Sequence, residues 1–163
     1  MNIPRVTYRQ HIKPSDLDAI SRIIESSGFF STAEIDLACE LAKEKLSSGN
    51  ASSYQFLFGE DGDLVWGYTC FGLIPATAAS YDLYWIAVDD HLRARGLGNQ
   101  LLRQTENIIC KWGGKHIYAE TSSRDQYQTT HRFYEGCGYI KEAFLEDFYA
   151  EGDGKIIYSK RLI

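Results

Sequence analysis

The sequence predicts a mixed α/β (α+β) fold in one domain spanning residues 1–163, with elements in the order β-α-α-β-β-β-α-β-α-β-β. Three observations carry this. The chain has 163 residues, a length that suits one domain better than two. Apolar residues make up 44% and charged residues 24%, a globular balance that excludes disordered and collagen-like chains. The apolar spacing alternates between the helical period and the strand period, broken at glycines, with no repeat, linker or low-complexity run.

Residues 6–12 supply a first strand. Pro14, Ser15 and Asp16 then offer helix-start chemistry to a segment carrying Leu17, Ile20, Ile23 and Ile24 at helical spacing, which Gly28 ends. Past Phe29 and Phe30, Ser31 or Thr32 caps a second helix whose apolar stripe is Ile35, Ala38, Leu41, Ala42 and Leu46, stopped at Gly49 and Asn50. The period then changes to two. Residues 54–59 and 64–74, joined through Glu60, Asp61, Gly62 and Asp63, read as a β-hairpin. Residues 81–88 (YDLYWIAV) are aromatic and β-branched, hence a strong strand, followed by a polar loop over residues 89–95. A helix over residues 98–112 points Leu101, Leu102, Ile108 and Ile109 inward and stops at Gly113 and Gly114. Residues 116–120 form the next strand, residues 123–135 contain another helix closed by Gly136 and Gly138, and strands near residues 139–148 and 155–162 finish the chain.

The formal net charge of −5 gives no support to nucleic-acid or anionic-membrane binding. Cys39, Cys70, Cys110 and Cys137 show no C-x-x-C spacing and no clustered histidines, so no metal site is expected and the cysteines read as reduced thiols. With no apolar run long enough to span a bilayer and no signal-peptide pattern, a cytoplasmic location is the expectation. A twofold homodimer is the default assembly.

The segment Arg93-Ala94-Arg95-Gly96-Leu97-Gly98 lies between a strand and an amphipathic helix. Glycines there let backbone N–H groups turn toward an anion, the helix start adds a favourable dipole, and two arginines suit phosphate. Leu101 stands where a dinucleotide fingerprint has Gly or Ala, and no G-K-[ST] follows, so neither familiar nucleotide loop is present. Taken by itself, such a turn is equally a tight connection.

The motif has a companion. R-x-x-G-x-G after a strand ending Ile86-Ala87-Val88, then F-Y-E-x-x-G-Y about forty residues on, resembles the GNAT superfamily of acyl-CoA-dependent N-acetyltransferases. The element order is similar along nearly the whole chain, while the sharp motifs lie in residues 81–139. The resemblance implies a twisted, mixed, mostly antiparallel sheet flanked by helices, with its fourth and fifth strands splayed and acetyl-CoA in the gap. It implies that backbone amides of Arg95, Gly96, Leu97 and Gly98 hold the pyrophosphate, that Arg93 is the motif's first position, and that Ile86, Ala87 and Val88 pair with the pantetheine arm. Coenzyme A suits such a place, because its extended amide-bearing arm can add to a strand.

Acyl transfer to an amine needs a neutral amine, a stabilised oxyanion and a proton for the departing thiolate. The resemblance places Tyr134 beside the CoA sulfur as the acid; the alternative is that Tyr134 packs its helix end. On a helix, Tyr127, His131 and Tyr134 share a face by spacing that could also line the cofactor cleft. Strand alternation puts Asp82, Tyr84, Ile86 and Val88 on one face; if that face meets the acyl site, the resemblance puts Asp82 where some family members carry a base glutamate, with Glu120 as rival, His131 third and ordered water alone as the other alternative. Backbone N–H groups near Ile86 to Val88 would stabilise the oxyanion. A covalent route through Cys137 is disfavoured, since a helix C-terminus opposes a thiolate. The expectation is direct transfer from acetyl-CoA to a primary amine, the acceptor being a small molecule or a protein amine. The alternative is a non-catalytic acyl-CoA-binding sensor of the same fold. Acceptor choice is expected in residues 28–31 and 75–80 and in the tail, with Phe144, Glu146, Asp147, Phe148, Tyr149 and Asp153.

Overall fold

A computed structural model describes residues 5–28, 30–93 and 95–163. Phe29 and Ala94, both in segments singled out above, lie outside the described residues. The elements are β1 (Thr7–Arg9), α1 (Asp16–Ser26), α2 (Thr32–Ser48), β2 (Gln55–Asp61), β3 (Leu64–Leu73), β4 (Ser80–Val88), α3 (Leu97–Lys111), β5 (His116–Ser122), α4 (Gln128–Gly136), β6 (Ile140–Ala150) and β7 (Asp153–Arg161), with short 3₁₀ turns at Gly49–Ala51, Asp90–Leu92 and Asp125–Tyr127. The expected order holds. The strands hydrogen-bond in the order β1-β2-β3-β4-β5-β7-β6. β4 and β5 run parallel, whereas β1–β2, β2–β3, β5–β7 and β6–β7 are antiparallel, so the fold is mixed α+β with a mostly antiparallel sheet.

The chain divides into two compact units, one of residues up to Gly72 with Trp85–Thr105, the other of Leu73–Tyr84 with Glu106–Ile163. In the first, Phe56, Phe58 and Tyr68 stack with ring centroids 5.8–6.2 Å apart, and Ile20, Ile23, Ile24, Leu101 and Leu102 are buried with them. The same unit buries charge. Arg9 donates to both Asp16 carboxylate oxygens at 2.8 and 2.9 Å and to Glu60 at 3.0 Å, and its guanidinium lies 4.7 Å from the Phe58 ring centre. Ser31 caps α2 in a capping box with Glu34, the reciprocal arrangement that satisfies two orphan N–H groups.

The second unit places Ile109, Ile117, Ala119, Tyr134, Tyr139 and Tyr158 in its core. β5 is paired along its length with β7, from His116↔Arg161 to Ser122↔Lys155. Its parallel pairing with β4 covers Ser80–Leu83 against His116–Ala119, and both strands run on past that register.

Several sequence expectations needed adjustment. β1 is three residues long, because only those residues find β2 partners, Thr7↔Glu60 to Arg9↔Phe58. On α2 only Ala38 and Ala42 of the expected stripe are buried, so small residues seat that helix. Ile108 is half-buried while Leu101, Leu102 and Ile109 are fully buried, since the inward arc of α3 is narrower than its apolar spacing. Tyr127 closes a 3₁₀ turn ahead of α4 rather than sharing one helix with His131 and Tyr134. Among the described residues no helix is long and apolar enough to cross a membrane.

Candidate active site

The first unit holds the end of β4 and the turn into α3. Burial alternates along β4 through Leu83, then residues 85–88 are all half-buried. Trp85 takes the edge of Phe30 at 5.4 Å, so Phe30 packs on this strand. β3 comes close here: a Cβ on Gly67 would stand 2.9 Å from Leu101 Cδ1 and 3.0 Å from the Ala87 carbonyl oxygen. A Cβ here would be tighter than nearly all real Cβ contacts, so Leu101 and the β4 backbone would have to give way to it. Gly67 thereby lets Ile86-Ala87-Val88 and the first turns of α3 close on β3.

The turn after β4 is anchored at its root. Asp89 is 3% exposed. Its N–H donates to the Trp66 carbonyl at 2.7 Å, and its carboxylate receives the His91 N–H at 3.0 Å, the His91 ring at 2.9 Å and the Arg22 guanidinium. Burial pushes this carboxyl's pKa up, but the His91 hydrogen bonds and the Arg22 charge outweigh it and hold the group below the usual carboxylate range. Beyond that root Arg93 and Arg95 are exposed, Arg93 lying 3.4 Å from Asp90. Gly96 adopts φ +86°, a left-handed conformation that glycine takes without the steric cost a Cβ brings. α3 starts at Leu97, one residue earlier than expected, and its first amides have no intrahelical acceptor by geometry. A positive φ followed by helix-start amides, with Arg95 and the Asp90-paired Arg93 exposed beside it, is a geometry that suits an anion.

The second unit, taken by itself, holds the candidate acid and bases. Asp82 pairs with Tyr118 across the parallel register, and Glu120 follows Tyr118 by two residues on β5, so the two carboxylates share a sheet face. Burial, then the Glu120 charge, raise the Asp82 pKa above the ordinary range, while Lys155 opposes the rise. Glu120 is ion-paired with Lys155 at 2.7 Å. Sequence reasoning missed Lys155, because only the β5–β7 register brings it to this face.

Tyr134 is 5% exposed. Its ring lies 5.5 Å from both Tyr139 and Tyr158, and burial raises its pKa well above that of a free phenol. The phenol is therefore a protonated donor across the neutral range. The neighbouring polar groups are committed elsewhere: Tyr139 donates to Glu106 at 3.2 Å, Tyr158 to Glu135 at 3.2 Å, and Lys160 to Glu106 at 2.8 Å and to the Cys137 carbonyl at 2.9 Å. His131 is buried with Nε2 2.8 Å from the Ser122 carbonyl, so Nε2–H donates and the ring is a structural link. Tyr127 is buried beneath the Arg124 guanidinium, 5.7 Å from its ring centre. Cys137 is a half-buried thiol past the end of α4. Among the described residues no three His, Cys, Asp or Glu side chains come together as a metal site.

Comparison with known proteins agrees with the motif pair. Residues 52–141 match the model of the acetyltransferase (GNAT) domain family. A crystal structure from Desulfovibrio desulfuricans, of a protein assigned to the GNAT family of acetyltransferases, superposes with a TM-score of 0.95 at 43% identity, covering 97% of this chain and 99% of that one. An aminoglycoside 6'-N-acetyltransferase complexed with coenzyme A (TM-score 0.75, 18% identity, 96% and 97% covered) shares the fold. So does the ribosomal-protein-S18-alanine N-acetyltransferase of Escherichia coli (TM-score 0.73, 18% identity, 96% and 94% covered). No curated protein sequence matches the chain. With a family model spanning more than half of the chain and a close structural relative covering nearly all of it, the chain belongs to the GNAT family of acetyltransferases and is an acyltransferase enzyme.

Proposed function

We propose that this enzyme transfers the acetyl group of acetyl-CoA directly to a primary amine, without a covalent enzyme intermediate. The observation that carries the reading is the β4–turn–α3 segment, where Gly96 at φ +86° opens a helix start flanked by Arg93 and Arg95. In this reading the amides of Arg95, Gly96, Leu97 and Gly98 hold the pyrophosphate, with Arg93 and Arg95 adding charge. The backbone of Ile86, Ala87 and Val88 takes the pantetheine arm as an added strand.

The chemistry then needs three things. Asp82, less acidic than an exposed aspartate, accepts a proton from the acceptor ammonium, through a water where its short side chain does not reach. The amine nitrogen attacks the thioester carbonyl, forming the C–N bond, a backbone N–H of residues 86–88 stabilises the oxyanion, and the nitrogen gives up its second proton to water as the tetrahedral adduct collapses. As the C–S bond breaks, Tyr134 protonates the thiolate and is reprotonated from solvent. Glu120, already engaged by Lys155, serves better as a counter-charge for a cation than as the base.

Thermal unfolding with acetyl-CoA, CoA, ATP and NAD in parallel tests the cosubstrate. A hundredfold excess over Kd adds about 2.7 kcal/mol, roughly 5–10 °C for a chain of this size. Shifts with the two CoA species only are expected, followed by thiol release in a screen of amines. An equal response to ATP or NAD overturns the assignment.

A further inference from the structure

Lys155 is buried more deeply than the groups that neutralise it. Its side chain is 12% exposed against 48% for Glu120, and Phe148 and Tyr149 are 51% and 49% exposed. Its Nζ lies 2.7 Å from Glu120 Oε2, 3.7 Å from the Phe148 ring centre and 5.8 Å from that of Tyr149. The ammonium forms the floor of a cage whose acid and rings are open to solvent.

The backbone builds this cage by departing from regular strand geometry. Ser122 stands opposite Lys155 and Glu120 opposite Ile157, so Glu120 is the diagonal neighbour of Lys155 on one face. β6 pairs Leu145 with Lys155, then loses register until Ala150↔Asp153. In a regular strand two consecutive rings would point to opposite faces. Here the irregularity covers residues 146–149, with Asp147 at φ +53° held by the Gly152 N–H, which donates to its Oδ1 at 2.7 Å. Phe148 and Tyr149, edge to face at 5.1 Å, both reach the same Nζ. Bulges of this kind re-aim side chains near functional sites.

A carboxylate with two aromatic faces is a receptor for a primary ammonium. The attacking nitrogen in acetyl transfer must be neutral, so an ammonium held here is not the reacting one. We propose that Glu120, Phe148 and Tyr149 form a specificity subsite for a second, non-reacting ammonium of the acceptor, and that Lys155 is its resident occupant, which the acceptor displaces. The proposal rests on the amine-acetylating reading above and names its acceptor class: molecules carrying at least two amines. Lys155 then acts as a built-in competitor for that second ammonium and leaves the reacting amine untouched.

Calorimetry and steady-state kinetics with diaminobutane and butylamine, on wild type, Lys155→Met and Glu120→Gln, test it. Lys155→Met vacates the cage and is expected to lower Kd and KM for the diamine roughly tenfold while leaving the monoamine within a factor of about two. Glu120→Gln, which keeps an amide oxygen to accept from Lys155, is expected to abolish the diamine preference, with a modest fall in Tm from leaving the Lys155 ammonium without its counter-charge. Lys155 also holds down the Asp82 pKa, but that affects both amines alike and cancels in the diamine-to-monoamine ratio. An unchanged ratio in both variants overturns the proposal. Diamine binding that follows the expected pattern without any acetyl transfer upholds the subsite and instead overturns the proposed acceptor chemistry.

Discussion

Replacing Tyr134 with Phe removes one oxygen from an aromatic cluster and tests the acid assignment directly. The ring is 5% exposed, 5.5 Å from Tyr139 and Tyr158, so its packing volume is kept. The stability change should stay within about 1 kcal/mol, or roughly 2–4 °C in Tm. The catalytic change should be larger. General acid catalysis contributes about 10²–10⁴-fold; a thiolate near the thiol pKa of about 8.5 is already a fair leaving group, which places the expected loss near the lower end, roughly 10²-fold in kcat or about 2.7 kcal/mol of barrier. A free phenol with a pKa of about 10 is roughly 1% ionised at pH 8, and burial lowers that fraction further. The wild-type donor thus stays protonated as pH rises to 9, and Tyr134 contributes no alkaline fall in rate over that range. Thiol release under saturating acetyl-CoA and acceptor measures kcat, and KM for acetyl-CoA should stay within a factor of about three. A variant with unchanged kcat and an unchanged melt refutes the role and leaves Tyr134 as packing.

Asp82 has its pKa raised in the folded state by burial and by Glu120; its ionised form, the base, is present above that pKa and lost as pH falls through it, at higher pH than for an exposed aspartate. Asp82→Asn should remove this acid limb from kcat/KM and lower the plateau. Because ionising a group with a raised folded pKa costs stability at neutral pH, the same variant should melt at the wild-type temperature or above, and a lower Tm with an unchanged pH profile argues against the assignment. Gly67→Ala drives a methyl to within 3.0 Å of the Ala87 carbonyl and should cost about 1–3 kcal/mol, read as a Tm loss of roughly 3–9 °C, with KM for acetyl-CoA rising as β4 shifts. Arg93→Ala combined with Arg95→Ala, on exposed side chains, should leave Tm unchanged, raise KM for acetyl-CoA roughly tenfold and weaken its salt dependence; an unaltered KM would take both arginines out of the phosphate site.

Much of this molecule is legible locally. Helix starts, the glycine stops and the strand periods are short-range effects of backbone sterics and side-chain burial, and Ser31, Gly96 and the β4 alternation through Leu83 follow from the residues themselves. The motif pair around Arg93–Gly98 and Tyr134 is likewise a property of sequence, since both segments bring their chemistry within a few residues. What sequence spacing does not contain is cross-strand register. The order β5-β7-β6 puts the last strand inside the sheet; this carries Lys155 to Glu120, while the break in β6 at Asp147 turns two successive rings to one side. The same holds for Asp89, which reads as a loop acid until Arg22, 67 residues earlier, is found against it. Long-range pairings depend on which surfaces meet when the core closes. The amino-acid order determined the elements and the family's motif pair, and the tertiary structure alone decided which charges face one another, because strand register and side-chain burial are set by the packing of segments far apart in the chain.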